Sequence, residues 1–179
     1  RYIVVTGLPN MLVVDQRAAH ERILFESMMK DLASHNAATQ KLLWPETLQS
    51  STADAAVLRE LVPHLQTLGF DVAEFGHDTF IIHGIPAIMT DLISPQQAIE
   101  DILDRFKEGH QMMEMKPVEK IAVVMASNLS RRRGEIMTTE EMQSLIEQLM
   151  ASDNPYVSPS GRKTFITFGK EEILKRFQS

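Results

Sequence analysis

Asp15, Glu21 and Glu26 are the side chains of this chain best spaced for chemistry. They lie in Val13-Val14-Asp15-Gln16-Arg17-Ala18-Ala19-His20-Glu21-Arg22-Ile23-Leu24-Phe25-Glu26, where a short apolar run ends on an acid and a helical pattern begins at once. Carboxylates gathered at a strand-to-helix corner can form half of a metal or catalytic site. The same residues also have ordinary structural uses. Asp15 is a good N-cap, because its carboxylate can accept from the free N–H groups of a first helical turn, and Arg22 and Glu26 are spaced to pair at i,i+4. Both readings are open; helix-surface carboxylates are mostly solvated, which favours the structural one.

The rest of the composition narrows the chemistry. There is no cysteine among the 179 residues, so disulfides and thiolate zinc sites are excluded. The six histidines (His20, His35, His64, His77, His83 and His110) are scattered with no i,i+4 pair, and a structural zinc is not expected. Glycine-rich phosphate loops, serine-nucleophile elbows and zinc-protease helices are absent, so no nucleotide or other cofactor is expected in this part of the chain. A net charge of −6 argues against a strong DNA binder, and DNA contact is expected to be weak or indirect. The only dense basic cluster is Arg131-Arg132-Arg133, which reads best as a solvated helix end. Hydrophobic content of 44% with 23% charged residues is ordinary for a globular protein. No apolar run approaches the ~20 residues of a membrane helix. The chain is in a strand-like run by Tyr2, which reads as a piece of something longer, so a missing targeting signal says little.

The elements that would position these side chains follow from local patterns. Tyr2–Val5 and Met11–Val14, around Gly7-Leu8-Pro9-Asn10, predict a β-hairpin. Both strands are apolar almost without alternation, as in strands covered on two faces, and the second cover is expected from another chain. A helix should run from about Arg17 to Ala33, followed by an extended segment, Gln40 to Leu48, that Pro45 marks as an edge. Trp44 there either closes a core or belongs to an exposed docking motif. From Ser51 the pattern becomes helix, hairpin, helix, with Pro63 implying a kink or break near Leu61-Val62 and Ser94-Pro95 opening the second helix. A methionine-rich loop spans Glu108 to Glu114, and a helix follows from about Pro117 to Arg131. Thr138 with Glu141 forms a capping box for the next helix. A strand at Thr164–Phe168 and a helix from Lys170 to Phe177 close the chain. The expectation is an α+β fold in two subdomains, one built from residues 1–50 and 157–179, the other inserted at 51–156.

Three separated motifs share one resemblance. Asp15-Gln16-Arg17-Ala18-Ala19-His20-Glu21 with Glu26 resembles the metal-dependent nicking motif D-Q-H-A-x-x-E-x-x-x-x-E of the C-terminal dimerisation domain in the MutL family of DNA mismatch repair proteins. Gln40-Lys41-Leu42-Leu43-Trp44-Pro45 is similar to the segment through which such domains engage the sliding clamp. Asn154-Pro155-Tyr156, then Ser158-Pro159-Ser160-Gly161-Arg162-Lys163 and Phe177, resembles the family's ending, N-P-F, C-P-H-G-R-P and a terminal K-R-F helix. The resemblance implies a homodimer joined through the opening and closing segments, with Val4, Met11 and Val13 at the interface and 51–156 as a regulatory subdomain. It further implies clamp binding through Gln40, Leu43 and Pro45, a mismatch-recognition protein as a partner of the longer protein, an ATPase in a preceding region, no membrane contact and a cytoplasmic location.

The departures from the family pattern bear on mechanism. By resemblance, nicking members hold their metal with the Asp, His and first Glu of the opening motif and the Cys and His of the closing one, beside an A-C-R segment. The corresponding positions here are Arg17 for the histidine, Ser158 and Ser160 for the closing pair, and Ala126-Ser127-Asn128 for A-C-R. Asp15 and Glu21 remain. Serine hydroxyls are poor zinc or manganese ligands, and a guanidinium repels a dication. Arg17 is expected to pair with Asp15 or Glu21 and balance their charge. No metal is therefore expected, and a non-catalytic dimerisation module is the leading function. A manganese- or zinc-dependent nicking domain rebuilt around Asp15, Glu21, Glu26 and His20 is the alternative.

Overall fold

A computed structural model describes residues 2–6, 10–89, 94–108, 114–131 and 137–177. Their backbone is α+β, with six strands in two antiparallel sheets and six helices. The chain divides into two compact units, residues 1–26 with 130–179 and residues 27–129. The expected division placed Thr39–Gln49 with the opening hairpin and Thr139–Met150 in the insertion. The observed units exchange these two elements, because the first pairs with a strand of the insertion and the second covers the opening sheet.

The first unit is built on the sheet β1 (Tyr2–Val5), β2 (Asn10–Asp15) and β6 (Phe165–Gly169), with β2 central. The expected hairpin pairs β1 with β2 in antiparallel register; its connection, Gly7 to Pro9, lies outside the described residues. Alternation sorts the side chains into two faces. On one, Ile3, Val14 and Phe165 align across the strands, next to Val5 and Leu12. This face packs on Ala19 of α1 (Gln16–Ala33) and on Leu145 and Leu149 of α5 (Thr139–Met150), forming the core of the unit. The capping box that starts α5 is present, with Thr138 Oγ1 accepting from Glu141 N and Glu141 returning a bond to Thr138 N. The other face carries Val4, Val13 and Ile166 in one row and Met11 and Phe168 in the next. Val4 is 56% exposed on it and Ile166 43%, while Met11, Val13 and Phe168 are half-buried, so the described residues cover this side only in part.

The second unit surrounds the sheet β3 (Thr39–Gln49), β5 (Thr79–Pro86) and β4 (Asp71–Glu74), with β5 central. α2 (Thr52–Thr67) lies against β4, and α3 (Pro95–Glu108) against β3 and β5. Leu58, Leu65, Phe80, Ile82, Ile99 and Ile102 are buried. Ser51 caps α2 through Asp54 N, and Gly69, in the left-handed region at φ 96°, ends it. α2 runs without interruption through Pro63, so of the expected kink or break near Leu61-Val62 the break does not occur. α4 (Pro117–Arg131) buries Ile121, Met125 and Leu129. α6 (Lys170–Phe177) closes the chain in the first unit. The basic cluster at 131–133 and most of the methionine-rich loop lie outside the residues whose side chains are described. Among the described residues no helix is long and apolar enough to cross a membrane.

Candidate functional site

The acidic residues of the opening motif all lie in the first unit, where α1 meets the segment 153–164. That segment is shaped by its own backbone. Ser158 N donates to Arg162 O at 2.7 Å and Gly161 N to Ser158 O at 2.9 Å, closing a tight turn in which Gly161 has φ 83°. A bridge joins Val157 to Lys163, and Thr164 N donates to Tyr156 O at 3.1 Å. Asp15 N in turn donates to Thr164 O at 2.8 Å, which fastens the end of β2 to the far end of the turn. The turn holds Arg162 so that it reaches α1.

Each acid has a defined partner. Asp15 Oδ1 accepts from Arg17 N at 2.9 Å and Ala18 N at 3.1 Å, the N-cap predicted for it. Glu21 is 0% exposed and accepts from Arg162 Nη2 at 2.8 Å. Glu26 is buried too: one oxygen accepts from Asp153 N at 2.9 Å and the other from Asn154 N at 3.3 Å, and Arg22 lies 3.6 Å away. Arg22 Nε donates to Val157 O at 2.8 Å. Burial lowers the Arg22 guanidinium from its ordinary value, against the pull of the Glu26 and Glu21 carboxylates. The expected i,i+4 pair is therefore present, but in a nearly buried setting rather than on a solvated helix face.

A second arginine shares the role expected of Arg17. Arg17 stands at the family's histidine position and its backbone N–H donates to Asp15, while Arg162 also brings a guanidinium to Glu21. Sequence reading missed Arg162. The available signal was the Gly161-Arg162 pair inside the closing motif: a left-handed glycine followed by a fixed cation.

The serines at the closing positions bond to each other and to the backbone. Ser158 Oγ lies 3.0 Å from Ser160 Oγ and accepts from Arg162 N at 3.3 Å. Ser127 lies on α4 in the second unit, half-buried, and its neighbour Asn128 donates to Asp101 Oδ2 at 2.7 Å.

These residues do not fit a catalytic dication. Among the described residues no group of three or more His, Cys, Asp or Glu side chains could hold a metal. Glu21 Oε1 is buried without a hydrogen-bond partner among them, so one acceptor is left over, but the other oxygen already holds the Arg162 guanidinium, whose charge repels a dication. What the arrangement does chemically is neutralise buried carboxylates with arginine and backbone N–H groups.

The clamp-like segment has a different character. In β3, Lys41 pairs with Gly84 and Glu46 with Ile82, so Leu42 to Pro45 fall where the register shifts and lie outside the regular ladder. Pro45, which lacks an N–H, loses no ladder bond there. Leu43 is 85% exposed and Trp44 79%, which removes the alternative that Trp44 closes a core. Gln40, also exposed, remains in the ladder opposite Ile85. At the base of the excursion Lys41 pairs with Asp71 across Gly84, where a Cβ would come within 2.7 Å of Thr39 Cγ2.

The candidate interface residues Val4, Met11 and Val13 fall together on the partly exposed face of the first sheet, with Ile166 and Phe168 beside them. Comparison with known proteins shows the family. The family model described as the MutL C terminal dimerisation domain matches residues 1–137. The DNA mismatch repair protein MutL of Parabacteroides distasonis is 33% identical over 99% of this chain and 29% of its own length. That of Flavobacterium johnsoniae is 34% identical over 99% of this chain and 27% of its own length. The MutL of Desulforamulus reducens is 32% identical over 99% and 28%. The chain thus spans less than a third of the curated relatives it matches. With the resemblance of three motifs, a family match over most of the chain and relatives of this identity, the chain belongs to the MutL C-terminal dimerisation domain family.

Proposed function

We propose that this chain is the homodimerisation module of a MutL-type DNA mismatch repair protein, and that its protomers join through the outer face of the β1–β2–β6 sheet. The observation that carries the reading is the aligned apolar row of Val4, Val13 and Ile166, with Met11 and Phe168, on a sheet face that the described residues leave partly exposed. A second copy presenting the same face is the economical cover, because a two-fold interface is self-complementary. The test is Val13→Asp. A charge at the centre of that row would have to be buried unpaired on association, so dimer affinity falls about 100-fold or more. Sedimentation velocity on both proteins reads this directly, and equal dimerisation of Val13→Asp and wild type would refute the interface.

DNA nicking is not part of this proposed function, because Asp15, Glu21 and Glu26 are engaged as cap, ion pair and loop anchor. Manganese-dependent nicking of supercoiled plasmid by the wild type, lost in Asp15→Asn and Glu21→Gln, would reinstate the catalytic alternative.

A second reading has its own observation. The exposed Leu43 and Trp44, outside the β3 ladder, favour a tether to the sliding clamp through Gln40, Leu43 and Pro45. Short apolar motifs of this kind bind weakly alone and act through the local concentration of a larger assembly. Surface plasmon resonance on immobilised clamp should show binding that Gln40→Ala with Leu43→Ala removes while the dimer persists. Equal clamp binding by wild type and double variant would exclude the motif.

A further inference from the structure

We infer that Arg162 is a built-in counter-ion, clasping the segment 153–164 to α1 without a metal. The inference rests on burial and connectivity within the first unit and is independent of how protomers associate. Glu21 is fully buried, and the cation that meets it at 2.8 Å comes from a residue 141 positions later in the chain. A second stitch runs the same way, from Arg22 Nε to Val157 O. A third joins both oxygens of Glu26 to Asp153 N and Asn154 N, and Arg22 lies within 3.6 Å of the same carboxylate. Asp15 N to Thr164 O completes the seam. Apart from the Arg22–Glu26 pair inside α1, each of these contacts joins the end of β2 or α1 to the closing segment.

The charges explain why a dication is unnecessary. Asp15, Glu21, Glu26 and Asp153 are four negative groups, and Arg17, Arg22, Arg162 and Lys163 are four positive ones in the same two segments. A dication would add charge to a set that already balances, beside a guanidinium that repels it. Metal ions tie distant segments together by sharing carboxylates; here a tethered guanidinium has that role, with the direction of the N–H fork fixed by the Ser158–Gly161 turn.

The test is a double-mutant cycle read by thermal unfolding of the full chain, with and without metal. Arg162→Met leaves Glu21 buried and unpaired, and the expected loss is about 10 °C in Tm. Adding Glu21→Gln removes the orphaned charge and restores at least half of that loss. Wild-type Tm should not change with EDTA, manganese chloride or zinc chloride, since a ligand that binds only the folded state raises Tm with its concentration. Should Arg162→Met fail to fold, the double variant is still expected to fold and supplies the comparison. A double variant no more stable than Arg162→Met alone, or a wild-type Tm that climbs with manganese or zinc, would overturn the inference.

Discussion

The partly exposed sheet face and the seam beside α1 belong to the same unit and handle water in opposite ways. On the sheet, Val4 is 56% exposed and Ile166 43%, and nothing polar in that row compensates. At the seam, Glu21 and Glu26 are buried, and each has an arginine or backbone N–H partner from the closing segment. A buried charge without a partner is strongly destabilising, so the seam must be completed within the chain as it folds. An apolar face in water costs far less and can wait for a second copy. The first unit is therefore closed where charge is involved and open where only apolar surface is.

That contrast can be broken at either side. The largest effect is expected at the seam, where Glu26→Ala leaves two backbone N–H groups unpaired and takes the nearer carboxylate from Arg22. Chemical denaturation should show a loss of roughly 3 kcal/mol, with the dimer still formed by whatever protein remains folded. On the open face, Ile166→Asp should weaken association as Val13→Asp does, yet leave monomer stability within about 0.5 kcal/mol, because the residue is already partly solvated. Asp15→Ala removes only a cap and should lower stability by about 1 kcal/mol without affecting association.

The smallest effect concerns the second unit, which supplies neither region. Asp54 is held below its ordinary carboxylate value, chiefly by the Lys107 side chain and then by Ser51. A depressed folded-state pKa stabilises above the unfolded value of 3.8, and the contribution disappears as pH falls through the folded value. Lys107→Met should therefore lower Tm slightly at pH 6, and the gap from wild type should close below pH 3.8.

Local features were legible in the chain and non-local ones were not. The Asp15 cap, the Thr138–Glu141 capping box and the β1–β2 hairpin each depend on residues within a few positions, and all are present. The exposed face was legible as well, because two nearly all-apolar strands need two covers and the described residues supply one in full. The seam was not. Glu21 and Arg162 meet only through the folding of everything between them, and a buried glutamate has the same letter as a solvated one. The unit boundary moved for a similar reason, since β3 finds its partner β5 across an intervening helix and strand. The excursion of Leu42 to Pro45 depends on the same pairing; Pro45 suggested an edge but not a register shift.

The most direct measurement is sedimentation equilibrium of the wild-type chain across a concentration series that reaches tens of micromolar. A mass of 40.6 kDa, twice the 20.3 kDa of one chain, is the result expected if the partly exposed β1–β2–β6 face joins two copies. A single species at 20.3 kDa over the whole range would contradict it.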